Sequence, residues 1–287
     1  MSVFFCDSNC ELWFTKCDEL GVKVIGMPYN IDDEERDYDM GRETDFVDFF
    51  TRVKNGSMPK TSALNRQNYI DYFEPVLKSG QDILYVHFSS NLSGTFDFMN
   101  SAIEELKEKY PERTIKTVDT LSISLPAGMI VYEAAKRWKA GASDDEVIEW
   151  VKNNRQKFTA YFMVEDLNHL KRGGRLSGAA ALFGTLLGIK PILKINSEGK
   201  IVKENTAKGI RKSITYLVDK MKEIGENVAD YPIGILDANS PEHAAILKEE
   251  ILKVAPDAEV WTQSIGPTIG THCGPGTIAI VFHSKQR

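Results

Sequence analysis

The sequence predicts a two-domain α/β protein, with residues 1–158 built on a mostly parallel sheet and residues 159–287 forming an α+β domain with a mixed or antiparallel sheet. Three observations carry that prediction. The 287 residues exceed the roughly 100–200 usual for one domain. Short β-branched or aromatic runs alternate with amphipathic helices through the first half, as in βαβ units. From Phe158 the alternation gives way to glycine turns and shorter connections. Hydrophobic residues make up 42% and charged residues 26%, enough apolar material for a buried core and unlike disordered or fibrous chains.

In chain order, 3–7 and 22–27 are short apolar runs ending at polar or glycine turns, which suits inner parallel strands. An acidic loop over 32–39 then reads as a solvated surface. The clearest core strand is 83–88; it enters Ser89-Ser90-Asn91-Leu92-Ser93-Gly94-Thr95 and a helix whose apolar face is Met99, Ile103, Leu106 and Tyr110, closed by Pro111. A strand at 114–118 and a helix over 127–138 follow. Ser143 and Glu146 have the spacing of a capping box for a helix starting near Asp144. In the second half, 161–164 is strand-like, 171–175 is a basic glycine turn, and 190–193 pairs through a turn at Gly199 with 200–205 as a hairpin. Ile210, Ile214, Leu217, Met221 and Ile224 mark one helix face, and Ala244, Leu247, Ile251 and Val254 another. Strands at 233–236, 258–262 and 277–282 complete the domain.

Lys plus Arg is 35 against 41 Asp plus Glu, a formal charge of -6. That balance supplies no cationic surplus for nucleic acid or an acidic membrane. The cysteines Cys6, Cys10, Cys17 and Cys273 have no paired metal or redox spacing, and they fit free thiols in a reducing compartment. No signal peptide opens the chain. The longest nearly apolar stretch, 178–189, falls short of the roughly 20 residues that span a bilayer. A cytoplasmic protein without stable membrane insertion is expected.

Several segments could carry chemistry. The run 89–95 places hydroxyls where a parallel strand meets a helix N-terminus, a favourable place for an anion, although the same residues serve as an ordinary N-cap. The GKS/T core of a nucleotide loop is absent. Thr61-Ser62, after Gly56 and Pro59, reads as a turn or as hydroxyl donors. Glycines and prolines over 266–276 fix a backbone around His272, which could donate to an anion, act as acid or base, accept a phosphoryl group, or simply tie down its loop. Lys171, Arg172 and Arg175 on a glycine turn suit either phosphate or solvent. The small and apolar residues of 179–189 could pack a core or line an apolar slot. Hydroxyl and imidazole donors beside apolar walls together suit a carboxylate with a hydrocarbon tail. Asp7, Asp119 and Asp237 near strand ends keep an acid–base or metal site open.

The chain resembles the DegV family of bacterial fatty acid-binding proteins. The resemblance rests on Asp7-Ser8, Thr61-Ser62, the 89–95 run, Asp119-Thr120, Asp166-Leu167 with 170–177, Gly188-Ile189-Lys190-Pro191-Ile192-Leu193, and Gly270-Thr271-His272-Cys273-Gly274-Pro275-Gly276. It implies a two-domain protein holding one fatty acid between domains, with Thr61, Ser62, Ser93 and His272 at the carboxylate. The tail tunnel is assigned to Phe183, Leu186, Ile189 and Ile192. Arg172 and Arg175 match a basic turn that meets a kinase partner or the acyl phosphate. The resemblance further implies a non-catalytic subunit, with no cofactor or metal, that presents the fatty acid to a separate ATP-binding kinase, carries the acyl phosphate into phospholipid metabolism, and meets an acyltransferase. One departure stands out: the family's Gln-Pro step after Thr61-Ser62 is replaced by Ala63-Leu64-Asn65, which leaves chain-length preference and headgroup geometry open. An autonomous enzyme on a small carboxylate or phosphate using His272, and a lipid-sensing regulator acting through the Arg172 region, are the competing expectations.

Overall fold

The computed structural model describes residues 2–177 and 188–287. Two compact units emerge, Met1–Thr44 with Thr61–Arg155 and Asp45–Lys60 with Gln156–Arg287.

The first unit contains β1 (Val3–Asp7), α1 (Phe14–Leu20), β2 (Lys23–Ile25), β3 (Pro28–Ile31) and β4 (Glu34–Asp37). The chain then contributes α2 (Phe46–Lys54) to the second unit and returns through β5 (Lys60–Thr61), α3 (Arg66–Lys78), β6 (Ile83–His87), α4 (Thr95–Lys109), β7 (Ile115–Asp119), α5 (Leu125–Lys139) and α6 (Asp144–Asn154). A four-stranded sheet runs β2-β1-β6-β7 with every pair parallel. Its central strands are almost wholly buried, as a sheet covered on both faces requires. Phe4 meets Trp138 of α5, whereas its neighbour Phe5 meets Phe73 of α3. Successive strand residues point to opposite faces, so α3 and α5 cover opposite sides of this sheet.

The expected acidic loop over 32–39 is a strand hairpin instead. Ile31 pairs with Glu34 and Pro28 with Asp37, while Asp32 and Asp33 both take left-handed backbone, φ 51° and 66°, the conformation a two-residue hairpin turn demands. All of β4 is exposed. The predicted face of α4 buries Met99, Ile103 and Leu106. Ser143 and Glu146 form the reciprocal capping box at α6, with Ser143 N donating to Glu146 at 2.8 Å.

The second unit continues through β8 (Phe158–Met163), α7 (Asn168–Gly173), β9 (Ile189–Ile195), β10 (Ile201–Lys208), α8 (Gly209–Ile224), β11 (Ile233–Asp237), α9 (Pro241–Val254), β12 (Val260–Ser264), α10 (Pro267–Cys273) and β13 (Ile278–His283). Its six-stranded sheet, β10-β9-β8-β13-β11-β12, is mixed, antiparallel at every step except β11 with β12. Tyr161, Ile192, Leu217, Leu247 and Ile280 lie in one buried cluster under α8 and α9.

Residues 45–60, which the sequence boundary leaves in the first domain, belong with this second unit. The reason lies in packing: α2 buries Phe49, Phe50 and Val53, and a Cβ on Gly270 of α10 would lie 2.8 Å from Phe50 Cζ. Only a glycine lets that ring so close to the α10 backbone. Two segments read as loops are short helices. The basic turn is the last turn of α7, ended by Gly174 at φ 69°, and 267–273 is helical with Pro267 in its first turn. Among the described residues, no helix is long and apolar enough to cross a membrane.

Candidate functional site

In the first unit, the strand-to-helix turn after β6 presents Ser93 at the entry to α4. Ser93 Oγ accepts from Thr95 N at 3.2 Å, and an accepting hydroxyl still has its own proton to give. One residue on, Thr95 is fully buried. Its Oγ1 donates to Leu64 O at 3.2 Å, so the 2.9 Å contact with Tyr69 OH is one in which the phenol donates. That relay ties the segment carrying Thr61 and Ser62 to the segment carrying Ser93. Thr61 ends β5 beside β3, and Ser62 N donates to Pro28 O at 3.4 Å. Asn65 then caps α3: its side chain accepts from Asn68 N at 3.0 Å while Asn68 accepts from Asn65 N at 2.9 Å. Asn65 thus has a role of its own at the departure from Gln-Pro.

Ser62 is exposed and lines a cavity of about 540 Å³ with Glu35, Asp37, Asn65, Asp71 and Tyr72. Burial, then the Glu35 charge, raise the Asp37 carboxyl above its ordinary range. An anion is disfavoured beside Glu35, Asp37 and Asp71.

The strand-end carboxylates shape loops. Asp119 accepts from Ser90 N at 3.1 Å, Ser90 Oγ at 2.6 Å and Leu121 N at 2.6 Å, and Asp237 accepts from Ser240 N at 2.8 Å. Asp7 is fully buried and takes Asn9 N at 3.1 Å, Phe88 N at 3.0 Å and Tyr85 OH at 3.1 Å. Among the described residues, no group of three His, Cys, Asp or Glu could hold a metal ion. The four cysteines are buried free thiols. Hydrogen bonding to Cys10 and Cys17, with burial, pushes the Cys6 thiol well up, the opposite of an activated thiolate.

In the second unit, α7 and α10 interlock through glycines. A Cβ on Gly173 would lie 2.1 Å from His272 Nδ1, and one on Gly274 would lie 2.4 Å from His169 Cδ2. Each helix end therefore receives the other's imidazole. Burial, then the Arg175 charge, hold His272 down to about 4; at pH 7 it is a neutral ring with one N–H to donate. Arg175 donates to Gly173 O. Arg172 is exposed, with Nη2 3.1 Å from His169 Nδ1. Arg172, Arg175 and His272 thus sit on one interlocked pair of helix ends. Of the assigned tunnel residues, Phe183 and Leu186 lie outside the described residues. Ile189 is half-buried at the start of β9, and Ile192 is fully buried within the second-unit core. Sequence reasoning missed Tyr69 and His169. For His169 the available signal was Gly274, which marks a place where another side chain can come close to the backbone.

The family model described as "DegV: Uncharacterised protein, DegV family" matches residues 3–285. The chain belongs to the DegV family. A DegV domain-containing protein of Clostridium perfringens is 39% identical over 280 residues, covering 98% of this DegV chain and 96% of its relative. Among solved structures, a DegV family protein from Thermus thermophilus described by its fatty acid binding superposes with TM-score 0.86 at 28% identity, covering 99% of this chain and 100% of that one. DegV from Bacillus subtilis, described as a fatty acid binding protein, gives 0.83 at 28% identity with 99% of both chains covered. The DegV architecture of a parallel-sheet unit followed by a mixed-sheet unit is therefore the architecture of this chain.

Proposed function

We propose that this DegV chain binds a long-chain fatty acid and presents its carboxylate to a separate ATP-dependent kinase subunit, then carries the acyl phosphate. The observation that carries the binding is the full-length likeness to relatives described as fatty acid binding. The chemistry of the predicted residues supports it. Ser93 offers a hydroxyl proton at a helix N-terminus, where negative charge is stabilised. His272, neutral at pH 7, donates without bringing a charge that would bind every passing anion equally well. Thr61 and Ser62 supply further hydroxyls. Burial of the tail contributes about 0.8 kcal/mol per CH₂.

In the kinase step, a carboxylate oxygen attacks the γ-phosphorus of ATP, the bond to the bridging oxygen breaks, and ADP leaves with that electron pair. The absent GKS/T core favours a partner that supplies the nucleotide. The added phosphoryl charge suits Arg172 and Arg175. An acyltransferase that consumes the acyl phosphate completes the sequence of reactions.

Mass spectrometry of an organic extract from the denatured, purified protein tests the binding, and the expected result is a stoichiometric long-chain fatty acid. Repeated absence of lipid, together with no uptake of added palmitic acid, would overturn it. Ser93→Ala and His272→Ala are each expected to weaken palmitic acid binding about tenfold, the loss of one hydrogen bond to a charged group, and Ser62→Ala less. Incubation with a kinase subunit and ATP tests the transfer; ADP release that ignores the bound fatty acid would refute it.

A further inference from the structure

His169 and Arg172 lie one turn apart on α7, with Arg172 Nη2 3.1 Å from His169 Nδ1. A guanidinium can only donate, and it keeps its charge throughout the range in which proteins fold. Nδ1 is therefore the acceptor, and the neutral His169 ring carries its proton on Nε2. The ring lies close against the Gly274 backbone, where a Cβ would come within 2.4 Å of Cδ2 and 2.8 Å of Nε2. On the other side of the fork, Arg172 Nη1 leans on Met58 Sδ at 3.9 Å. An exposed arginine is thus contacted from two directions.

We infer that His169 is a positioning residue whose bare Nδ1 aims the Arg172 guanidinium at the phosphoryl oxygens of a bound acyl phosphate, and that protonating His169 releases the fork. It rests on the reading that Arg172 meets the acyl phosphate, and it adds the residue that orients Arg172 and the pH range in which orientation holds. Burial and the Arg172 charge lower His169 below its ordinary value, while Asp166 raises it. Other charged or titratable groups on the surrounding elements include Lys171 on α7 itself, Cys273 at the end of α10, the Lys190–Glu165 pair, whose Glu165 packs on Gly276, and His272 with Arg175 across Gly173. His169 is consequently neutral at pH 7 and gains its proton only at a pH below the ordinary histidine range. Nδ1–H then faces a guanidinium that can only donate, and the hydrogen bond gives way to repulsion.

The test compares hexadecyl phosphate with palmitic acid on lipid-extracted full-length protein, titrated calorimetrically from about pH 5 to 8. His169→Ala is expected to worsen the ratio of hexadecyl phosphate to palmitic acid affinity about tenfold at pH 8, and Arg172→Ala to do the same with no further loss in the double variant. His169→Asn, whose Oδ1 replaces Nδ1 and does not titrate, is expected to restore the ratio and to remove the extra acid loss seen in the wild type. The ligand's own ionisation is common to both proteins and cancels in that comparison. Imidazole ¹⁵N spectra of the wild type are expected to show Nδ1 as the unprotonated nitrogen. A ratio indifferent to His169→Ala, matching pH profiles for wild type and His169→Asn, or a protonated Nδ1 at pH 8 would each overturn the inference. Wild-type protein that takes up neither ligand would overturn the fatty acid reading as well, whereas palmitic acid binding with an indifferent His169 overturns this one alone.

Discussion

At Asp7, donors from Asn9, Cys10, Tyr85 and Phe88 converge on one carboxylate with no exposed surface. Burial wins over those hydrogen bonds and pushes Asp7 up to about 7. Because an unfolded Asp titrates near 3.9, the native state holds the extra proton between about pH 4 and 7, and stability falls as pH rises through that window. In Asp7→Asn, an amide N–H₂ would face donors on one side and leave a buried N–H or O–H without an acceptor, which costs about 1–3 kcal/mol. Urea unfolding should find that penalty greatest at about pH 4, falling through pH 5 and 6 and smallest above pH 7, since only the wild type gains from protonation. A penalty that grows with pH would refute this account of Asp7. Asp7 and Ser93 were both visible in the sequence as polar residues at strand ends. Their different roles were not, because burial and hydrogen-bond direction depend on residues far away in the chain.

Helix ends are where the second unit concentrates its constraints. In Gly173→Ala the new Cβ meets the His272 ring, so α7 and α10 have to separate at a cost of about 1–3 kcal/mol, and His272 should rise from about 4 towards the ordinary histidine range as it gains water. Gly174→Ala is the control: its φ of +69° makes a side chain strained, but nothing lies within 4 Å. Histidine NMR titrations should show a raised His272 in the first variant and an unmoved one in the second. Elements with a strong period, such as β6, α4 and the capped α6, were legible from sequence. The helices α7 and α10 were not, because glycine and proline signal a break in any local reading, while here Pro267 starts a helix and Gly174 ends one. The grouping of residues 45–60 with the second unit was not legible for a related reason: the contact between Phe50 and Gly270 joins positions that no local pattern connects.

For the whole molecule, a ligand that binds only the folded chain adds stability by mass action, about 2.7 kcal/mol when free ligand is 100 times its Kd. In a chain of this size that corresponds to a rise of about 4–5 °C in Tm. Lipid-extracted protein should show it with palmitic acid, and Ser93→Ala should show less at the same concentration. An unchanged Tm at saturating lipid would contradict binding to the folded state. Net charge, at -6, was legible at this scale yet silent about the site, because Arg172 and Arg175 stand beside neutral histidines and vanish in a sum.

The Asn65–Asn68 box at the start of α3 directly follows Leu64, which stands where the family often carries the proline of its Gln-Pro step after Thr61-Ser62. A pyrrolidine ring stiffens a chain in every state, folded or not, and so spares part of the entropy lost on folding. A pair of hydrogen bonds stiffens it only once the helix exists. The hydroxyl-bearing loop of this chain therefore owes its rigidity to cooperation with α3. Fraying of that helix's first turn would slacken the loop, whereas a proline would keep its restraint through the same local opening.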